Sequence, residues 1–260
     1  MPSALALFAH PDDIEFVAAG TLLLLKDLGW DIHYCNVANG CCGSTVTDRT
    51  ETAAIRSLES ERSAQLLGAT YYPPFCDDLD ILYNRENLAK VAAIVRQAKP
   101  DIVLTHAASD YMEDHMETSR LAVTAAFAKG IPNFKSNPKE LSFDGDVAIY
   151  HAQPHGNRTP SGETVVPKLA ISIDSVIDRK LAMLDCHKSQ LQWLQATQGM
   201  NSYLQAMLEL GQEVAKLAKL DCKAAEGWHK HLHLGFGASD FDPLAKLFRI
   251  RGSGSRVGFR

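Results

Sequence analysis

The chain opens on an unbroken apolar run, Leu5-Ala6-Leu7-Phe8. It turns at once into Ala9-His10-Pro11-Asp12-Asp13-Ile14-Glu15-Phe16, followed by Gly20-Thr21-Leu22-Leu23-Leu24-Leu25. A run without polar alternation suits a strand buried on both faces, and the leucine-rich stretch behind it suits a helix. The same alternation repeats along the first half. Strands are predicted near 5–8, 31–37, 70–72 and 101–105, with helices near 18–28, 51–67, 87–98 and 117–129. Alternating strands and helices imply parallel pairing through right-handed crossovers. The expected class is α/β, a Rossmann-like three-layer fold with a mainly parallel sheet.

The pattern loosens after residue 131, where Pro132, Pro138, Pro154, Pro160 and Pro167 predict long loops around one strand at 147–151. His151 and His155 lie in this part. From Ala170 a helical spacing returns, with Ser172 and Asp174 as caps and Val176, Ile177, Leu181, Leu184 and His187 recurring along one face. A further helix over 201–220 would bury Leu204, Met207, Leu208, Val214 and Leu217, with a subunit neighbour as one candidate for the covering surface. His229, His231 and His233 then alternate, so in a strand they share one face. No carboxylate or cysteine stands at usable spacing, which favours a polar strand face over a metal site. The second half thus reads as a helical and short-strand C-terminal extension. Residues 249–260 mix Gly, Ser and Arg and read as a flexible basic tail.

Chemistry concentrates at two strand-to-helix loops. In an open α/β sheet, sites form beyond the carboxyl ends of strands. His10 and Asp13 flank a turn set by Pro11. An imidazole and a carboxylate so placed can face one Zn²⁺, with Asp12 between them directed at the attacking water as general base. After the strand near 101–105 come His106, Asp110, Glu113, Asp114 and His115. If both loops leave one sheet edge, His115 completes a His-Asp-His set. Asp114 then orients an imidazole or fixes the protonation of a neighbour. His106 reads as a capping or buried histidine.

A net charge of −5 without a concentrated basic face argues against nucleic acid as partner, and no stretch reaches the length of a membrane span. The N-terminal apolar run is too short for a signal segment. Six cysteines without Cys-x-x-Cys spacing read as reduced thiols in a cytoplasmic protein, the vicinal Cys41-Cys42 included. The loop Asn39-Gly40-Cys41-Cys42-Gly43-Ser44 carries no dinucleotide fingerprint.

The segment Ala9 to Glu15, with Gly20-Thr21 behind it, resembles the first motif of the PIG-L/LmbE-like family of zinc-dependent N-deacetylases. Asp110 with Asp114-His115 resembles the second. The similarity continues through Asn39-Gly40, Arg56, Gly68, Pro100-Asp101 and Cys186-His187-Lys188-Ser189-Gln190. It implies zinc on His10, Asp13 and His115, Fe²⁺ being accommodated by the same donors, and Asp12 as base. It further implies Asp114 and His187 beside the reaction, Arg56 as a substrate contact near the metal, and Glu226 of Ala225-Glu226 as a contact at the site mouth. Residues 1–195 would be the Rossmann-like catalytic domain, and 196–248 an extension packed on the same domain. The implied reaction removes an N-acyl group, above all N-acetyl, from an amino sugar such as N-acetylglucosamine or from a sugar conjugate. A homo-oligomer, trimer or hexamer, is implied as well.

One position departs from the family. Met112 stands where the second motif commonly has a histidine that serves the oxyanion or leaving group, and a thioether does neither. His187 and His106 are the candidate substitutes. The alternatives are a zinc amidase or deaminase on a non-sugar substrate, and a non-catalytic metal- or sugar-binding protein.

Overall fold

The computed structural model describes residues 1–198 and 203–248. Among these, seven strands form one sheet: β1 (Ser3–Phe8), β2 (Asp31–Asn36), β3 (Thr70–Tyr72), β4 (Ile102–Thr105), β5 (Ala148–Ala152), β6 (Leu169–Ser172) and β7 (Ala225–Lys230). The spatial order is β3-β2-β1-β4-β5-β7-β6, with β1 to β5 parallel and β7 antiparallel to both its neighbours. Strand order reverses beside β1, whose neighbours are β2 and β4. That reversal opens a crevice at the carboxyl ends of β1 and β4.

The apolar run of β1 is buried on both faces because the sheet is covered on both. Ala4, Ala6 and Phe8 pack with Leu22, Leu23 and Leu25 of α2 (Ala19–Asp27), which follows the short α1 (Asp13–Val17). Leu5 and Leu7 face the other way, into a layer with Val91 and Val95 of α4 (Arg85–Ala98) and Leu121 and Ala125 of α5 (Glu113–Phe127). On the α2 side lies α3 (Arg49–Leu67), started by the Asp48 carboxylate, which accepts from Thr50 and Glu51 N–H, and ended by Gly68 at φ 68°. Helices α6 (Ile177–Leu184), α7 (Lys188–Gln198), α8 (Tyr203–Ala218) and α9 (Pro243–Phe248) complete the described elements.

Four local expectations change. The helix predicted over 18–28 forms as α2, and a short additional helix, α1, precedes it from Asp13. The fourth predicted helix begins at Glu113, so that Asp114 and His115 sit in its first turn rather than in a loop. Leu169–Ser172 is a strand, not the start of a helix, because β7 pairs with it antiparallel from a distant part of the chain, and long-range pairing overrides a local helical spacing. Strand β7 ends at Lys230, so the three alternating histidines do not share one strand. His229 Nε2 meets Gln153 Oε1 at 2.7 Å and His231 Nδ1 meets His151 Nε2 at 2.9 Å, polar contacts rather than a metal site.

Part of the apolar face of α8 is covered inside the chain. Tyr203 and Met207 pack with Leu184 and Leu194, while Val214 and Ala215 pack on Ala225. Residues 201 and 202 of the predicted helix and the predicted tail at 249–260 lie outside the described residues. Among the described residues no helix is long and apolar enough to cross a membrane, and the six cysteines are free thiols.

Candidate active site

Register brings the two chemical loops together. Leu7 of β1 lies beside Thr105 of β4, so the segments that follow leave the sheet at one level on adjacent strands. The first turns tightly. Asn36 donates from its side chain to His10 O at 2.7 Å, and His10 N donates to Asp13 Oδ2 at 2.7 Å. Asp12 takes φ 100°, a conformation that disfavours any side chain, and is held there by its surroundings. The second segment becomes the first turn of α5, where His115 is buried beside His10 with ring centroids 5.6 Å apart.

Each of the two imidazoles has a carboxylate behind it. His10 Nε2 meets Asp114 Oδ2 at 2.9 Å, leaving Nδ1 turned to Asp13 Oδ2 at 3.4 Å. His115 Nδ1 meets Asp110 Oδ2 at 3.4 Å, leaving Nε2 turned to Asp13 Oδ1 at 3.5 Å. The ligand atoms of His10, Asp13 and His115 all lie within 4.8 Å of one another. Two imidazoles and one carboxylate, converging and oriented from behind by further carboxylates, form a donor set that fits a divalent ion such as zinc.

Electrostatics follow from burial and crowding. Burial disfavours a charged His10, but Asp114 and Asp13 outweigh it and hold the imidazole up at about 10. His115 is likewise raised, against burial, by Asp13 and Asp110. Asp13 stays well below the usual carboxylate range despite burial, because His115 and His106 face it. Asp12 is pushed up to about 6 by burial, with Arg56 opposing and Asp13 adding to the rise. His106 is held down at about 4 by burial and by His115, with which it stacks at 3.9 Å. Its Nε2 accepts from Ala9 N–H at 2.9 Å, so this histidine braces the first loop.

The remaining predicted residues divide. Arg56 lines the cavity 3.8 Å from Asp12, but it also donates to Pro11 O at 2.6 Å and Gly40 O at 3.2 Å. A Cβ at Gly40 or Gly43 would stand 2.6 or 2.4 Å from the guanidinium, so the Gly40–Gly43 loop wraps closely over it. His187 does not reach the cavity. It is fully buried with Nε2 3.3 Å from Glu15 Oε2, while Glu15 also accepts from Tyr34 Oη at 3.0 Å.

Glu226 is not at the mouth. It accepts from Gly20 N, Thr21 N and Thr21 Oγ1 at 2.8, 2.7 and 2.6 Å and pairs with Lys180 Nζ at 2.6 Å, all buried. The Ala-Glu pair and the Gly-Thr pair are thus two halves of one joint that fixes β7 to the start of α2. A buried, fully occupied carboxylate has nothing left for a substrate.

Of the other residues at the cavity, Tyr203 carried no signal in the sequence. Tyr203, at the start of α8, donates its hydroxyl to Asp12 Oδ2. Nothing in a lone tyrosine so distant in sequence announces this contact. His155 and Tyr111 line the cavity with rings 5.1 Å apart, and Met112 lines it beside them. The role of Asp110 behind His115 was within reach, since a carboxylate five positions ahead of the histidine stands in the same cluster.

A cleft flanked by two carboxylate-backed imidazoles and a third carboxylate, at the switch point of a mainly parallel sheet, defines an α/β protein with a candidate metal centre at its strand ends. Residues 5–126 match the family described as PIG-L, GlcNAc-PI de-N-acetylase. The diacetylchitobiose deacetylase of Thermococcus kodakarensis is 28% identical over 196 residues, covering 72% of this chain and 69% of the relative. A 4-oxalmesaconate hydratase of Pseudomonas putida is 26% identical over 196 residues, covering 72% and 74%. The solved N,N′-diacetylchitobiose deacetylase of Pyrococcus horikoshii superposes with a TM-score of 0.73 at 25% identity, covering 93% of this chain and 88% of that one. The relatives are enzymes, and deacetylases are prominent among them.

Proposed function

We propose that this protein is a zinc-dependent hydrolase that removes an N-acyl group, above all N-acetyl, from an amino sugar or sugar conjugate. The observation that supports it most is the pairing of a convergent His10-Asp13-His115 donor set with the adjoining Asp12 carboxylate, all open to one cavity. A zinc ion on those three residues would activate a water and draw electron density from the acyl carbonyl. Asp12 takes the proton as the water oxygen bonds to the acyl carbon. It then delivers that proton to nitrogen as the carbon–nitrogen bond breaks, releasing carboxylic acid and amine. Held at about 6, it is ionised at neutral pH yet basic enough to accept.

Asp114 and Asp110 position the imidazoles. His187 is a positioning residue for the Glu15 layer beneath Asp12, not a proton donor to substrate. With Met112 in place of the motif histidine, the imidazole that faces substrate is His155. Cytoplasmic location and a symmetric trimer or hexamer belong to the same reading.

The hydratase relative motivates a second reading, addition of water to an unsaturated acid at the same centre. Cavity chemistry favours the first. A substrate rich in carboxylates needs fixed cations, and the lining supplies Arg56, already bonded to two carbonyls, and the distal Lys216. Asp12, Asp13, Asp78 and Asp110 suit a departing amine better.

The test is amine release from N-acetylated sugars and conjugates by zinc-loaded protein, with Asp12→Asn as control. Activity in the control is expected to fall by about 10²–10⁴-fold. Absence of amine release across the panel, together with consumption of an unsaturated acid, would establish the hydratase instead.

A further inference from the structure

The loop between β2 and α3 carries donors that the reaction at His10 leaves unused. Cys41 and Cys42 place their Sγ atoms 3.9 Å apart, and the Asp78 carboxylate stands with them, the three ligand atoms all lying within 4.8 Å of one another. Two thiolates on one tetrahedral ion, each about 2.3 Å from it, lie about 3.8 Å from each other. The separation of the two sulfurs is thus that of a chelating pair. It does not suit a disulfide. Bonded sulfurs are about 2.05 Å apart, and neighbouring residues across a trans peptide hold their Cα atoms at about 3.8 Å, closer than disulfides ordinarily span.

The donors are held in place and can be reached. Asp78 accepts from Gly40 N at 2.7 Å and from Cys42 N at 2.9 Å, while Asn39 Oδ1 accepts from Cys41 N at 3.0 Å. Each Asp78 oxygen thereby fixes the loop with one lone pair and keeps another for an ion. Cys41 is buried, whereas Cys42 is exposed and lines the cavity shared with His10, Asp13 and Arg56. Two thiolates and a carboxylate around a divalent ion leave one negative charge in excess. The Arg49 guanidinium, which also pairs with Asp77, lies 3.9 Å from Cys42 Sγ and offsets it. The His10-Asp13-His115 set contains no sulfur, so the two groups of donors differ in the ions they prefer, the thiol pair selecting soft ones.

We infer that Cys41, Cys42 and Asp78 form a second metal site, for a thiophilic d¹⁰ divalent ion such as Zn²⁺ or Cd²⁺, set in the cavity wall and separate from the His10-Asp13-His115 centre. Binding exchanges both S–H bonds for sulfur–metal bonds and releases the two protons to solvent. The site needs nothing from the reaction assigned to the cavity.

The experiment equilibrates reduced, zinc-loaded protein with Cd²⁺ and reads metal content together with the sulfur-to-cadmium charge-transfer absorption, which nitrogen and oxygen ligands do not give. About two ions per chain and a charge-transfer band are expected. Cys41→Ser and Cys42→Ser should each lose the band and one ion, whereas His10→Ala should lose the other ion and keep the band. In unaltered protein Cd²⁺ should slow alkylation of Cys42, followed by mass spectrometry, by about tenfold or more. Absence of the band, or its persistence in full in both serine variants, overturns the site. Loss of the band in His10→Ala ties the sulfurs to the first centre and overturns the separation. Alkylation of Cys42 at an unchanged rate overturns the site as well, and this measurement decides the matter even where a variant does not fold.

Discussion

The hydroxyl of Tyr203 donates a hydrogen bond to the Oδ2 of Asp12, joining the first residue of α8 to the carboxylate beside the donor set. A donor on the charged form of an acid lowers its pKa, here against the burial that raises it to about 6. Because the base works ionised, kcat/KM should rise through about pH 6 and level off above it, the limb lying lower once a metal's positive charge is added nearby. Tyr203→Phe removes the donor and is expected to move this limb to higher pH. A pH profile of the variant superimposable on the parent's would dissociate Tyr203 from Asp12.

Metal binding should release protons. In the metal-free protein Asp114 and Asp13 hold His10 at about 10, so at pH 7 its imidazole carries a proton that an arriving ion displaces, and the upward shift of His115 acts in the same direction. Affinity must therefore strengthen as pH rises, by about tenfold per unit for each proton lost. Calorimetry of zinc binding in two buffers of different ionisation enthalpy counts these protons; a count of zero at pH 7 would contradict the arrangement.

Asp114→Asn and Asp110→Asn should each weaken the metal site without dismantling it. Either change removes the carboxylate behind one imidazole, and second partners of this kind are worth about 10–100-fold in affinity. Competition with a chromogenic chelator reads the effect. Asp114 has a further task, accepting from Leu79 N at 2.8 Å, so its variant should also loosen the neighbouring loop.

Glu226→Gln is expected to lower stability and spare chemistry. Removing one partner of the buried Lys180–Glu226 pair leaves an uncompensated charge, at a cost of about 3–5 kcal/mol. Urea unfolding should show that loss, while kcat/KM of the folded fraction stays within about twofold, since the residue is remote from the cavity. A selective rise in KM with unchanged stability would return Glu226 to the site mouth.

The layout of the first half was legible because β1 and β4 are short apolar runs and the helices restore a different period, down to the bare four residues of β4. The meeting of His10, Asp13 and His115 was legible for a related reason: both loops follow parallel strands, and neighbouring parallel strands end at one edge. The rest depended on partners far away in sequence. Leu169–Ser172 has no strand signal of its own beyond four residues, and only its pairing with β7 decides its state. Glu226 was placed at the mouth because its motif was visible while its occupants were not. His187 lies near Asp12 in space, yet its ring is turned to Glu15. Tyr203 is one tyrosine among seven until the fold carries it to Asp12.

Strand β7 enters the sheet between β5 and β6, although it is the last of the seven strands among the described residues. During synthesis all three residues of the candidate metal centre, which lie before residue 116, emerge from the ribosome early. The inner strand that closes the sheet and the helix that walls the cleft come much later. Until then β5 presents an unpaired edge, and Asp12 lacks its phenolic partner. A nascent chain can therefore gather its metal-binding groups well before it can hold a substrate, and the late arrival of β7 sets the moment at which a half-made sheet ceases to be open to other chains.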